Sequence, residues 1–211
     1  MNALWPLSLL IGYALGAIPT GVIVAKLGFG LKLHRLGSRH TGGTNVMRVT
    51  GKVWAGVLTG CIDIGLGALS VWAAQSLFDS PWAPVMAGAA AVLGHSWSAY
   101  IGFAGGIGLS SLFGMLLAQA PLETLIAGVV CVLVWLAVRK ALKGDARSTI
   151  CVLPLLPLLL WLLGQSAPLI VSSGLGALIA IGKSLGDWQR THQENDGVLS
   201  QLGLRRTLEM E

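Results

Sequence analysis

Charged residues are scarce in this sequence. Of its 211 residues only 11% are charged, whereas 54% are apolar. A soluble domain typically carries about 25% charged residues, and a water-facing domain of this size needs far less apolar material for its core. The composition therefore excludes an ordinary soluble domain and favours an integral membrane protein.

Cysteine and histidine are also few. The three cysteines each lie in an apolar run without a close partner, so neither a disulfide framework nor a C-x-x-C site is indicated; they are Cys61, Cys131 and Cys151. The four histidines match no ligand spacing of a metal site; they are His34, His40, His95 and His192. We therefore expect no metal.

Acidic residues are the rarer charge, and the formal net charge is +5. A basic excess can signal nucleic acid, but here the basic residues flank apolar runs. In that position they hold loops on the cytoplasmic side of a membrane, against anionic lipid. We therefore expect a lipid bilayer as the partner and no nucleic acid.

Long apolar runs predict seven transmembrane helices. About twenty residues, each rising about 1.5 Å, cross a hydrocarbon core of about 30 Å. The fold class is thus all-α, a polytopic membrane helix bundle that forms one integral membrane domain over residues 1–211. The predicted spans are residues 4–26, 53–77, 83–102, 107–120, 122–142, 148–163 and 167–186. Several are short and one could be re-entrant, so six or eight spans stay open.

The basic residues predict the orientation of this bundle. The first apolar run has no basic residue before it, and Lys26 follows it, which favours an uncleaved helix with its N-terminus outside over a signal peptide. All the basic residues flank the connections after spans one, five and seven, which share one side of the membrane. The opposite side receives only Asp79 and Glu123. The asymmetry predicts an outside N-terminus and a cytoplasmic C-terminus.

Glycine is abundant, with 29 residues. Gly12-x-x-x-Gly16 and Gly56-x-x-x-Gly60 place small residues on one face of a helix, which lets two backbones approach closely. We expect these glycines to serve helix packing. No inverted repeat is visible, and a transporter fits the hydropathy but lacks charged residues along a continuous path.

Residues 36–48 form the first of three polar segments on the predicted cytoplasmic side. They mix glycines, hydroxyls, an amide and two arginines over a length greater than a helical hairpin needs. Glycine backbone N–H groups, hydroxyls and a bidentate arginine are a phosphate-binding combination. A solvated turn that caps a helix beginning near Asn45 fits equally well, so both interpretations stay open here.

The second polar segment comprises residues 94–97 and 103–111. Its glycine-rich turn enters a helix N-terminus, which is a suitable anion site. His95 lies near the interface, where a neutral imidazole can donate to or accept from a substrate. A re-entrant bend, with His95 bonded to a backbone carbonyl, is the structural alternative.

The third polar segment, residues 183–195, follows the last span, and by itself it is most simply a solvated interfacial helix. Asp63 differs from these segments because it lies well inside the second span. Ionisable groups within a bilayer are costly and usually face a polar interior or a site. Asp63 is therefore interpreted as functional or as a buried structural partner.

Together these segments resemble the bacterial acyl-phosphate-dependent glycerol-3-phosphate acyltransferases, the PlsY family. The first family motif reads G-S-G-N-x-G-A-T-N-V-x-R, and it is matched at Gly37, Ser38, Gly42, Thr44, Asn45, Val46 and Arg48. The second motif, G-H followed by F-x-G-G-K-G, is matched at Gly94, His95, Phe103, Gly105, Gly106 and Gly108. The third motif, H-R-x-N-I, is matched at His192 and Asn195. Three motifs in order on one predicted face are more specific than any one alone.

The sequence departs from these motifs mainly at basic residues. Ile107 replaces the lysine of G-G-K-G, Leu66 replaces the lysine of the D-x-x-K-G pattern that starts at Asp63, and Gln193 replaces the arginine of the third motif. Each charged hydrogen bond to a phosphate contributes about 1.5–3 kcal/mol, so two or three lost cations lower phosphate affinity by orders of magnitude. Two alternatives follow, a divergent paralog with another acceptor and a non-catalytic membrane protein that keeps the fold.

In the first motif His40 replaces asparagine, and Arg39, Lys52 and Lys183 are candidates to compensate for the lost cations. A substitute cation near the glycine-rich turn would indicate a working phosphate site. An apolar or closed pocket there would indicate a non-catalytic descendant.

The resemblance implies a defined reaction and site. It implies transfer of a fatty acyl group from acyl phosphate to the 1-hydroxyl of glycerol 3-phosphate, giving lysophosphatidic acid for phospholipid synthesis at the cytoplasmic face of a bacterial inner membrane, without a cofactor. The implied substrate- and phosphate-binding residues are Ser38, Thr44, Asn45, Arg48, Gly105, Gly106 and Gly108, of which Thr44 and Asn45 shape the loop. The implied catalytic residues are His95, His192 and Asn195.

Overall fold

The described chain is helical almost throughout. The computed structural model describes residues 4–142 and 144–188, and the α-helices in these ranges agree with the all-α prediction. They are α1 (Ser8–Gly16), α2 (Thr20–Phe29), α3 (Gly43–Thr50), α4 (Val53–Leu77), α5 (Ala83–Ser96), α6 (Leu109–Leu117), α7 (Pro121–Leu142), α8 (Asp145–Val152), α9 (Leu155–Leu162) and α10 (Ala167–Leu185).

Within the described ranges, five helical stretches are long and apolar enough to cross a membrane. They are Trp5–Phe29, Val53–Leu77, Pro121–Leu142, Asp145–Leu162 and Ala167–Leu185. The third and fourth predicted spans give shorter helices, since α5 has 14 residues and α6 has nine. At about 1.5 Å per residue these are shorter than a hydrocarbon core of about 30 Å. The count of seven spans stays a prediction.

Two of the predicted spans are interrupted at proline. The first divides into α1 and α2 around Pro19, and the sixth divides into α8 and α9 around Pro154. Proline lacks a backbone N–H and its ring clashes with the preceding turn, so proline within a helix kinks or breaks it. The apolar pattern predicted the length of these spans but not the break within each.

The outer surface of the bundle is apolar. On α7 only Thr124 and Ala127 are buried, while Val129, Val132 and Leu133 are each more than half exposed. A long helix that is hydrophobic all round belongs in a large core or in lipid, and α7 is not enclosed by the rest of the described chain. Its exposed side chains are therefore suited to contact with lipid.

The short helix α5 lies at the centre and packs against α1, α4 and α10. Nearly all of its residues are buried, and most of them are small. A Cβ on Gly12 or Gly16 of α1 would overlap the backbone of Ala87 or Ala91 on α5. The predicted Gly-x-x-x-Gly face is thus a backbone contact between these two helices.

We expect replacement of Gly16 with leucine to destabilise the fold. The atom it would meet is a backbone carbonyl, which cannot move aside, so the cost is about 3 kcal/mol or more. The measurement is the melting temperature of the detergent-purified protein, followed by size-exclusion chromatography after heating.

Gly28→Leu is the matched control, because nothing lies within 4 Å of a Cβ at this position of α2. The control should melt near the wild-type temperature. If the two variants melt at the same temperature, the close contact of α1 with α5 is not what Gly16 provides.

Candidate active site

A cavity of about 740 Å³ lies where the polar segments come together at one end of the bundle. Its walls come from the loop before α3, the first half of α4, the glycine-rich turn before α6, the turn between α7 and α8, and the residues after α10. The polar and charged side chains that line it are Ser38, Arg39, His40, Thr44, Asn45, Arg48, His95, Ser110, Trp135, Asp145, Thr149 and Asp187. Chain segments far apart in sequence thus build one chamber.

Asn45 organises the first loop from a buried position. Its Oδ1 accepts a hydrogen bond from the Ser38 backbone N–H at 3.0 Å, and its Nδ2 donates to the carbonyls of Leu36 and His40 at 3.2 and 2.7 Å. The helix α3 begins at Gly43, two residues earlier than predicted for a capped helix. Gly42 is the N-cap of this helix and no side chain caps it, so the predicted cap is wrong. The segment does line the cavity, and phosphate binding by it stays a prediction.

We expect Asn45→Asp to disorder this loop and to lower activity at least tenfold. A carboxylate can still accept from the Ser38 N–H, but it cannot donate to the two carbonyls, which would then face a negative charge. The measurements are proteolytic cleavage within residues 36–42 and the acyl-transfer rate.

Arg35→Gln is the matched control for Asn45→Asp, since Arg35 is exposed just before the same loop and does not line the cavity. Wild-type protease resistance and activity in Asn45→Asp would show that the three hydrogen bonds are dispensable.

The glycine-rich turn folds back against the end of α5. The Gly106 N–H donates to the His95 carbonyl at 3.0 Å, and a Cβ on Gly106 would overlap Nε2 of the His95 ring. A Cβ on Gly105 would overlap the carbonyl oxygens of His95 and Ser96, and Gly108 has φ +94°. These glycines are required by close approach and by backbone conformation, and His95 is held against the turn.

Behind His95 lies the intramembrane acid. Asp63 accepts a hydrogen bond from the Thr20 hydroxyl, and its Oδ1 lies 3.6 Å from Nδ1 of His95. That distance is an electrostatic contact rather than a hydrogen bond. Both Asp63 and His95 are buried. Asp63 does not line the cavity, and its geometry suits orientation of the His95 imidazole.

Arg48 is positioned by the turn between α7 and α8. Its Nη2 lies 3.5 Å from Oδ2 of Asp145, and Nε of Arg139 donates to Oδ1 of the same carboxylate at 2.6 Å. Nearby, the Trp135 indole donates to the Thr149 hydroxyl at 3.1 Å. Asp145 therefore joins the arginine of the first polar segment to the end of α7.

His40 joins three segments. Its Nε2 pairs with Asp187 beyond α10, and its Nδ1 lies 3.1 Å from the Gly105 carbonyl oxygen. The Thr41 N–H also reaches Gly105 O, at 3.4 Å. These contacts fix the first loop to the glycine-rich turn and to the end of the last helix.

The cavity residues that were not predicted as site residues from the sequence include Trp135, Asp145, Thr149 and Asp187. A usable signal existed for Asp145, which is the acidic residue in a strongly basic connection between two spans. The basic residues of that connection predicted only the orientation of the helices in the membrane.

The family model of glycerol-3-phosphate acyltransferases matches residues 6–193. The chain belongs to the glycerol-3-phosphate acyltransferase family. The match covers the helices that build the cavity, the first two polar segments, and the third polar segment as far as residue 193.

Two glycerol-3-phosphate acyltransferases from bacteria align over most of the chain. The glycerol-3-phosphate acyltransferase of Synechococcus sp. (strain JA-3-3Ab) is 38% identical over 171 residues, which is 81% of this chain and 81% of that protein. The glycerol-3-phosphate acyltransferase of Dinoroseobacter shibae is 38% identical over 187 residues, which is 88% of this chain and 84% of that protein.

Solved structures of the family share the fold. PlsY, an integral membrane glycerol 3-phosphate acyltransferase, superposes in its glycerol 3-phosphate form with a TM-score of 0.72 and 28% identity, over 85% of this chain and 88% of that chain. Its lysophosphatidic acid form gives a TM-score of 0.70. The resemblance to the PlsY family drawn from the motifs is confirmed.

The structure brings together most of the predicted site residues of this family member. Those that line the cavity are Ser38, Thr44, Asn45, Arg48, His95 and Gly108. Gly105, Gly106 and Asp63 lie immediately behind its wall. His192 and Asn195 lie outside the described residues, as does Gln193.

The departures from the family motifs have different surroundings. Ile107 lines the cavity and also packs against the main apolar cluster around Leu112 and Met115, so the glycine-rich turn brings no cation of its own. Leu66 is partly buried and does not line the cavity. Of the proposed compensating cations in the described chain, Arg39 lines the cavity, whereas the Lys183 ammonium lies over the Trp97 ring at 5.1 Å.

Proposed function

We propose that this protein transfers a fatty acyl group from acyl phosphate to the 1-hydroxyl of glycerol 3-phosphate, giving lysophosphatidic acid. The observation that carries the proposal is the cavity itself. It combines Arg48, Ser38, His95 and the glycine-rich turn at the end of an apolar bundle. The chain's family and the substrate named for its solved relatives support the acceptor.

The reaction needs positioning and electrostatic stabilisation more than a protein nucleophile. The 1-hydroxyl oxygen bonds to the acyl carbonyl carbon, the bond from that carbon to the phosphate oxygen breaks, and inorganic phosphate leaves with the hydroxyl proton. An acyl phosphate is already activated, so oriented substrates and stabilised charge supply most of the acceleration.

The cavity residues divide these tasks. Arg48 and the Ser38 hydroxyl bind phosphate oxygens, and the backbone of the glycine-rich turn shapes the wall beside them. His95, with Nδ1 directed at Asp63, relays the hydroxyl proton toward the departing phosphate. His192 and Asn195 are proposed to orient the substrate or the leaving phosphate, on the strength of the third motif.

The proposed setting is a bacterial inner membrane, with one domain over residues 1–211, seven crossings, an outside N-terminus and a cytoplasmic cavity. The contacts of His40 with Asp187 and of Arg48 with Asp145 support this orientation. They join the loops after α2, α7 and α10 at one end of the bundle, and the basic residues concentrate in those loops.

The non-catalytic alternative requires an apolar or closed pocket. Instead, the cavity is open and is lined by Arg39, His40 and Arg48 in addition to two carboxylates. This lining favours an enzyme that handles phosphate groups over a descendant that retained only the fold.

The test is transfer of labelled palmitoyl phosphate to glycerol 3-phosphate by the purified protein in detergent, with lysophosphatidic acid identified by mass spectrometry. Palmitoyl coenzyme A and palmitoyl acyl carrier protein are the comparison donors, and glycerol is the comparison acceptor. We expect turnover with acyl phosphate and glycerol 3-phosphate alone. Turnover with another donor would refute the donor, turnover with glycerol would refute the acceptor, and well-folded protein without turnover would refute the function.

A further inference from the structure

The charged side chains of the cavity are mostly matched by opposite charges. Arg48 pairs with Asp145, and His40 pairs with Asp187. Arg39 also lines the cavity and is exposed, yet among residues 4–142 and 144–188 its guanidinium has no hydrogen-bond or ion-pair partner. Its charge is therefore available to a ligand that enters the chamber.

The backbone at Arg39 is in an unfavourable conformation. Its φ is +62°, in the left-handed region that favours glycine. The turn is held there by the Arg39 N–H, which donates to the Leu36 carbonyl at 3.0 Å, and by Asn45. Glycine would adopt this turn without strain, and the first family motif carries glycine here. Strain that persists at a ligand cavity is a ground for a functional hypothesis.

The glycine-rich turn, which also lines the cavity, lacks a cation. Ile107 stands where the second motif carries lysine, and its side chain packs against the apolar cluster. The cavity proposed to bind phosphate thus has an uncharged residue at one motif position and an extra arginine at another, with both residues on its walls.

We propose that Arg39 binds a substrate phosphate in this cavity and replaces the cation that the glycine-rich turn lacks. The inference rests on the proposed function, because it assigns a ligand group within that same site. Glycerol 3-phosphate and acyl phosphate both present the required phosphate. To determine which of the two phosphates Arg39 binds, the KM of each substrate is measured at saturation of the other substrate.

The decisive variant is Arg39→Gly, which removes the charge and relieves the backbone. We expect KM for one or both phosphate substrates to rise about 10- to 100-fold, the effect of losing a charged hydrogen bond, while the melting temperature is unchanged or higher. A rise confined to glycerol 3-phosphate assigns Arg39 to the acceptor, and a rise confined to palmitoyl phosphate assigns it to the donor. Arg39→Lys should retain part of the affinity, and Arg39→Gln should not.

Rescue and a charge control complete the experiment. Adding Ile107→Lys to Arg39→Gly should recover most of the lost affinity, since it restores a cation on the same cavity. Lys32→Gln removes one charge from the same connection at an exposed residue outside the cavity lining, and it should leave both KM values unchanged.

Two results would overturn the inference. Unchanged KM values in Arg39→Gly would show a strained but solvated arginine, with the proposed function intact if the wild type turns over. A fall in melting temperature together with activity would show a structural residue. Calorimetric titration of the wild type with glycerol 3-phosphate distinguishes these two results from failure of the proposed function. A wild-type protein that neither binds glycerol 3-phosphate nor turns over refutes both proposals.

Discussion

Replacement of Arg48 with alanine is expected to lower kcat/KM for acyl transfer by about 100- to 10,000-fold. Arg48 is the arginine of the first motif, it lines the cavity, and Asp145 positions its guanidinium. A bidentate arginine–phosphate contact makes two charged hydrogen bonds of about 1.5–3 kcal/mol each. Arg48→Lys should recover only part of the loss, because an ammonium lacks the planar fork.

Arg139→Ala is the matched control for Arg48→Ala. Arg139 donates to the same Asp145 carboxylate at 2.6 Å but is exposed and does not line the cavity. Its loss should change kcat/KM by less than about threefold, the scale of an exposed ion pair. If Arg48→Ala keeps more than a third of wild-type kcat/KM, Arg48 does not bind a substrate phosphate.

Replacement of His95 with alanine is expected to lower kcat by about 100- to 10,000-fold, the range for loss of a positioned acid–base group. The imidazole lies between Asp63 and the glycine-rich turn and lines the cavity. The effect should fall on kcat more than on KM, because proton transfer matters in the transition state. Steady-state kinetics with both substrates measure the split.

His34→Ala is the control of the same residue type, since His34 is exposed on the 3-10 turn before the first polar segment and lies outside the cavity lining. It should retain wild-type kcat. Asp63→Asn tests the positioning role, because asparagine still accepts from the Thr20 hydroxyl but lacks the charge facing His95. It should lower kcat less than His95→Ala does. Full activity in His95→Ala would remove His95 from the mechanism.

The polar segments were predictable because motif order and chemistry are local features. Residues 36–48 carried glycines, an amide and arginines, and the structure makes this segment a cavity wall. Asn45 was assigned to substrate binding and loop shaping together. Three contacts within the loop use both N–H donors of its amide and one of the two acceptor positions on its oxygen. Periodicity and residue type do not encode that distribution.

The charge pairs that arrange the cavity were not predictable from pattern. His40 meets Asp187 across 147 positions of sequence, and Arg48 meets Asp145 across 97. Helical periodicity extends over a few turns, and hydropathy records only burial, so neither specifies which loop residues meet at the end of a bundle.

The sequence by itself determined that this protein resides in a lipid bilayer and which family it belongs to. Burial of apolar helices in lipid depends on composition and length, and the phosphate motifs depend on residue types at close spacing. Only the tertiary structure decided the close packing of α1 on α5 and the charge pairing in the cavity that leaves Arg39 available. Those features depend on which helices pack together, because packing alone brings distant charges within a few ångströms.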